Sequence, residues 1–174
     1  MSMKSEQALE PPLAVAEERY ATILALILAY TQFCDIHGDD DNAEYDRLAD
    51  QLQALSGKDI SRFNLREWWE EEGAEVLAFR IALPDPVKLD GVSRENIAHI
   101  VARLGSFELP EKDASEPRFQ QIFSAFLDDY YHAWLKLHCK TYNYQKIFGV
   151  HKDKDGKRWW LSDEEKVDLL WPHR

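Results

Sequence analysis

Cysteine is scarce in this chain, with two among 174 residues. Cys34 and Cys139 belong to no CxxC pair and to no Cys/His pair with zinc-ligand spacing. Two reduced, buried thiols are therefore expected rather than a metal clip or a bridge. Glycine is also scarce, at seven, which argues against a turn-rich all-β fold. Long hydrophobic runs are missing. The most apolar stretch, Ala21 to Tyr30, is far shorter than the roughly 20 residues a membrane span needs. The opening MSMKSEQALEPP is polar and lacks an apolar run with a small-residue cleavage site, so a cytoplasmic location without membrane attachment is expected. Nucleophile and phosphate-loop signatures are missing too: no GxSxG, no GxxxxGKS/T and no GxGxxG. His138 and Cys139 are adjacent, which on a helix turns them about 100° apart, a poor geometry for a Cys/His pair.

What is present describes a folded protein. Hydrophobic residues make up 45% and charged residues 30% of a length that suits one domain, with Trp, Tyr and Phe at six, seven and eight. The formal net charge is −11. Between Asp35 and Glu75 thirteen acidic residues face four basic ones, Arg47, Lys58, Arg62 and Arg66, leaving −9 on that flank. Between Lys140 and Arg158 the balance reverses, with six basic residues against Asp153 and Asp155. A chain of this charge repels nucleic acid and anionic membrane overall, and it attracts basic proteins.

Apolar spacing predicts a mainly α fold: a helical bundle of four to six helices with a small β-hairpin near the C-terminus. Residues 1–12 read as a flexible segment and 13–174 as one helical domain. The first helix is expected over 13–34, behind Pro11 and Pro12, apolar nearly all round and hence central. Asp41 with Glu44 suggests a capping box for a second helix, whose stripe of Tyr45, Leu48, Ala49, Leu52 and Leu55 ends at Gly57. Asn64 with Glu67 caps a short helix ending at Gly73. The segment 75–83 leans toward strand on Val76, Phe79, Ile81 and the following prolines, which keeps an α+β alternative open. Ser93 and Gly105 bracket a further helix. After a polar connector over 106–117, one long helix is expected over 117–148, striped by Phe119, Phe123, Phe126, Tyr130 and Trp134. DKDG, residues 153–156, reads as a hairpin turn, and Ser162 with Glu165 caps a last helix through Leu170.

Few residues suggest chemistry. Asp128 and Asp129 precede His132 by four and three positions, so a carboxylate and an imidazole share a helix face. Helical metal sites use two such pairs on facing helices, and no second pair is visible. A surface Asp beside a satisfied His is the simpler reading, and no metal or other cofactor is expected. HGDDDN, residues 37–42, is acidic but lacks the Gly and Glu positions of a calcium loop. Trp68/Trp69 and Trp159/Trp160 each point in different directions, so one of each pair is expected to meet solvent as a binding anchor. These features favour an acidic binding protein, and no enzyme, that neutralises a basic protein partner in the way immunity proteins and phage inhibitors do. The partner class is a nuclease toxin or a nucleic-acid-binding complex. The expected contacts are Asp39, Asp40, Asp41, Glu44, Trp68, Trp69, Glu70, Glu71 and Glu72. A metal-dependent enzyme using Asp128, Asp129 and His132 is the second reading, and a self-associating adaptor the third.

Overall fold

In a computed structural model, which describes residues 9–106 and 118–171, the chain forms eight α-helices and one short hairpin among those residues. The mainly helical expectation with a C-terminal hairpin holds. The chain divides into two units, and each has its own core.

One unit holds Pro11–Asp85 and the segment ending at Phe123. Its first helix, α1 (Leu13–His37), begins just after Pro12 and buries Ala16, Ile23, Ile27 and Tyr30 along one face. The expectation of a central, all-round buried helix is corrected here. Leu28 and Ile36 are exposed, because the apolar residues off that stripe meet no second layer. α2 (Ala43–Ser56) buries Leu48 and Leu52 and stops at Gly57, which adopts the left-handed φ of 72° that a Cβ disfavours. The helix that is buried nearly all round is α3 (Ala74–Ala82), where Ala74, Val76, Leu77, Ala78, Phe79, Ile81 and Ala82 are all covered. The segment 75–83, open between helix and strand in the sequence with a lean to strand, is therefore helix, and the α+β alternative falls. Burial on every side erases the 3.6-residue period by which a helix is recognised, and so a short apolar run reads as a strand. α1 and α2 pack on α3 and on each other. Phe79 stacks on Phe123, with ring centroids 4.4 Å apart and planes 2° from parallel, and Phe119 meets both rings edge-on or tilted.

The other unit gathers Leu9 and Glu10, the chain from Pro86 through α4 (Arg94–Leu104), and the chain from Ser124 onward. Residues 1–8 of the expected flexible segment lie outside the described residues. Leu9, however, is fully buried. The Ser93 cap and the Gly105 stop of α4 are as expected. The connector over 107–117 also lies outside the described residues. The single long helix expected over 117–148 is corrected to three. α5 (Phe119–Phe123) gives way to a 3-10 turn over Ser124–Phe126, α6 (Asp128–His138) restarts on two acidic residues, and α7 (Tyr144–Ile147) follows a turn. Asn143 caps α7 by accepting from the Lys146 amide at 3.0 Å. The apolar spacing runs on across these breaks and hides them. β1 (His151–Lys152) pairs antiparallel with β2 (Arg158–Trp159). α8 (Asp163–Leu170) carries the full Ser162/Glu165 capping box. α4 packs on α6 and α8.

Glu10 anchors the start of this unit. Its carboxylate meets His99 Nε2 at 2.7 Å, Arg103 Nε at 3.3 Å and the Tyr131 hydroxyl at 3.1 Å. Glu10→Ala leaves Arg103 and Tyr131 without their anion. The group is partly solvated, so the expected loss is on the order of 1 kcal/mol in a urea titration. A wild-type midpoint would show that the cluster only decorates the surface.

Candidate protein-binding edge

The acidic flank becomes one edge through a single arginine. Arg66 donates from Nε and Nη2 to the Tyr30 hydroxyl on α1 at 3.2 and 3.0 Å. Its Nη2 also reaches the Asp39 carbonyl at 3.3 Å and Asn42 Oδ1 at 2.9 Å. The loop after α1 and the 64–67 segment, far apart in sequence, are thereby fastened together. Asn64 Oδ1 accepts from the Arg66 and Glu67 amides just before a 3-10 turn at Trp68–Glu70, which has no side-chain cap of its own. This single turn replaces the short helix expected before Gly73.

The carboxylates of the flank divide sharply. The Asp39 side chain is only 2% exposed. It accepts from the Glu44 and Tyr45 amides at 3.1 and 2.9 Å and from the Tyr30 hydroxyl at 3.1 Å, with Arg66 Nη2 at 3.5 Å. Asp39, and not the expected Asp41/Glu44 box, satisfies the second and third amides of α2, while Asp41 accepts from Ala43 alone. Burial would raise the Asp39 carboxyl, but the two amides, Tyr30 and Arg66 outweigh it and hold the group below the ordinary Asp value. Burial and Cys34 push the Tyr30 hydroxyl up, so Tyr30 remains a neutral donor to Asp39. Glu44 pairs with Arg47 at 2.6 Å, and Glu72 grips Arg80 through both oxygens at 2.6 and 2.9 Å. Lys58 and Arg62 both go to Asp85. The cations of the flank are thus consumed internally. Among the described residues the carboxylates of Asp40, Asp46, Glu67, Glu70 and Glu71 enter no ion pair, and all five residues are exposed.

The tryptophans divide as well. Trp68 is half-buried and donates from Nε1 to Thr31 Oγ1 at 3.0 Å. Trp69 stands edge-on to it, with centroids 5.6 Å apart, and is 55% exposed. Beside them lies a surface groove of about 560 Å³ lined by Asp41, Asn42, Tyr45, Asp46, Asn64, Arg66 and Glu67. Arg66 lies over the Tyr45 ring, 5.7 Å from its centroid. The groove therefore has an acidic rim, one aromatic wall and an arginine already committed to its own neighbours.

The other sites named from sequence lie elsewhere. His132 has its Nδ1 at 3.2 Å from the Tyr142 hydroxyl, and its ring packs edge-on against Tyr144 and Phe148 at 5.1 and 4.7 Å. Among the described residues no three His, Cys, Asp or Glu side chains gather closely enough to hold a metal ion. Burial lowers the His132 pKa and outweighs the opposing fields of Asp128 and Asp129. The unfolded chain therefore binds a proton first on acidification. The contribution of His132 is complete above an ordinary histidine pKa of about 6.5 and fades as the pH falls below it. Melting temperatures recorded down this range should fall less steeply for His132→Phe than for the wild type; parallel slopes would contradict this. Cys139 is buried, and burial pushes its thiol up to about 11, as an inert core thiol requires. His138 accepts from the Leu89 amide at 2.8 Å and sits 2.8 Å from the Trp134 carbonyl, both ring nitrogens being engaged. The Glu10, His99, Arg103 and Tyr131 cluster was not visible in sequence, since its carboxylate comes from a segment that reads as flexible. No helix among the described residues is long and apolar enough to cross a membrane. No protein-family profile, curated protein or solved structure matches the chain, so the chemistry of the edge itself has to carry the functional argument.

Proposed function

We propose that this chain is a small acidic binding protein that neutralises a basic protein partner through the edge built around Arg66. One observation carries the reading. The flank uses its own cations internally, and among the described residues the carboxylates of Asp40, Asp46, Glu67, Glu70 and Glu71 enter no ion pair on the flank that also exposes Trp69. Such a surface offers carboxylates where a nucleic-acid-binding protein expects phosphates. Long-range attraction steers the encounter, and a desolvated aromatic holds the complex. The partner class is a nuclease toxin or a nucleic-acid-binding complex, as for immunity proteins and phage inhibitors, and the setting is the cytoplasm. Asp39 and Glu72 serve the edge as internal braces, and the docking contacts are the exposed acids, Asp41 and Trp69.

The test is affinity capture from the native host with the wild type, an Asp40→Lys/Asp41→Lys/Glu70→Lys/Glu71→Lys variant and Trp69→Ala. A basic protein retained by the wild type and lost from both variants supports the reading. Retention by all three, or an acidic captured protein, overturns it.

A further inference from the structure

We propose that the C-terminal hairpin docks on the acidic edge of a second copy of this chain, so that self-association and the basic partner compete for one surface. The proposal rests on the reading that the edge is a docking face. The hairpin has the opposite chemistry to that edge. Lys152, Lys154, Lys157 and Arg158 are exposed and, among the described residues, enter no ion pair. Trp159 and Trp160 are 43% and 60% exposed, and Val150 before them is also exposed. The register sets Lys152 directly opposite Arg158. Like charges across a strand pair destabilise it, and an isolated two-stranded hairpin is marginal to begin with. The turn nevertheless holds, because Asp153 Oδ1 accepts from the amides of Asp155 and Lys157 at 2.9 and 2.8 Å. Asp153 is therefore committed to the turn, and the hairpin presents cations beside apolar rings.

Two anionic occupants fit such a surface. A nucleic acid strand would stack on the tryptophans, but the remainder of a −11 chain opposes its approach. A second copy supplies the complement in kind: Asp40, Asp46, Glu67, Glu70 and Glu71, exposed and without an ion pair among the described residues, for the cations, and Trp69 for the rings. The contact joins two different surfaces and each copy carries one of each, so copies pair either by reciprocal exchange or head to tail. The free protein would then store itself with its edge covered, and a stronger basic partner would displace the hairpin.

Sedimentation of the purified full chain tests this. Association should rise with concentration in about 0.01 M salt, where charges act over roughly 30 Å, and vanish near 1 M, where they act over roughly 3 Å. Reversing Lys152, Lys154, Lys157 and Arg158 to Glu should leave only the monomer, as should reversing Asp40, Asp41, Glu70 and Glu71 to Lys. Mixing these two variants should restore association, because each then supplies the complement the other needs, and this also shows that both are folded. Trp160→Ala should weaken association roughly tenfold or more without any change of charge. A monomeric wild type in low salt overturns the proposal, as does association that survives hairpin reversal. So does a mixture that stays monomeric, or an anionic oligonucleotide retarded by the wild type and released by hairpin reversal while the wild type remains monomeric. None of these outcomes bears on capture of a basic partner, so the two readings fail separately.

Discussion

Truncating Phe79 to alanine should lower stability by about 3–5 kcal/mol, among the largest losses any single side chain of this protein produces. Phe79 has no exposed surface and sits on α3, a helix covered nearly all round. Its ring lies flat on Phe123 at 4.4 Å, and Tyr20 meets Phe123 edge-on at 5.2 Å. Removing it opens a cavity under the Phe119 and Phe123 rings, which are already held against each other and against Tyr20. Phe79→Leu keeps most of the volume and should cost well under half as much. The effect also reaches the edge, because Arg80, next along α3, holds Glu72 and offers its carbonyl to Lys58 Nζ at 2.6 Å. Urea titrations followed by tryptophan fluorescence would read both variants. Equal midpoints for Ala and Leu would show that the stack contributes little.

Asp39→Ala should be the most disruptive change among the acids between Asp35 and Glu75. Asp40, Asp46, Glu67, Glu70 and Glu71 face water, whereas Asp39 is enclosed and accepts from three donors beside Arg66. Its loss strips two amides of α2 of their acceptor, leaves the Tyr30 hydroxyl without one, and frees Arg66 from its counter-charge. Asp39→Asn should be almost as damaging, because an amide nitrogen would then stand among groups that are themselves donors. The depressed carboxyl also carries a pH signature. Its contribution is present above an unperturbed Asp value of about 3.9 and is lost as the pH falls through the lower folded value. The variant should lose that part of the acid limb, and its melting temperature should fall further than those of Asp40→Ala or Asp41→Ala. If all three variants melt together, Asp39 is a surface acid like its neighbours.

The contrast between Asp39 and Asp40 shows where sequence reading stops. The charge of the flank was plain from composition. The division of the first tryptophan pair holds, with Trp68 half-buried and Trp69 exposed. At the second pair it fails, because Trp159 and Trp160 both meet solvent on a two-residue strand and its end. Which acid turns inward was not plain, because the answer depends on Tyr30 and Arg66, which lie nine residues before and 27 residues after it. Local chemistry was legible at some helix starts and turns, though not at α2, where Asp39 replaces the expected Asp41/Glu44 box. Ser93, Ser162 and the Asp153 turn work through bonds to residues two to four positions away, and the structure has all three. Periodicity failed in two opposite ways. Around α3 complete burial removed the pattern and suggested a strand, while from Phe119 to Ile147 the pattern continued across turns and suggested one helix instead of three.

The role of the edge is tested most directly by the association rate of the captured basic partner, measured against ionic strength. With the wild type the rate should be fast in low salt and fall steeply as salt rises, since unpaired exposed carboxylates act through a screened field. Reversal of Asp40, Asp41, Glu70 and Glu71 to Lys should slow association by about tenfold or more and remove the salt dependence, while Trp69→Ala should mainly speed dissociation. An association rate unchanged by the four reversals, with the same salt slope, would contradict an acidic-edge interface.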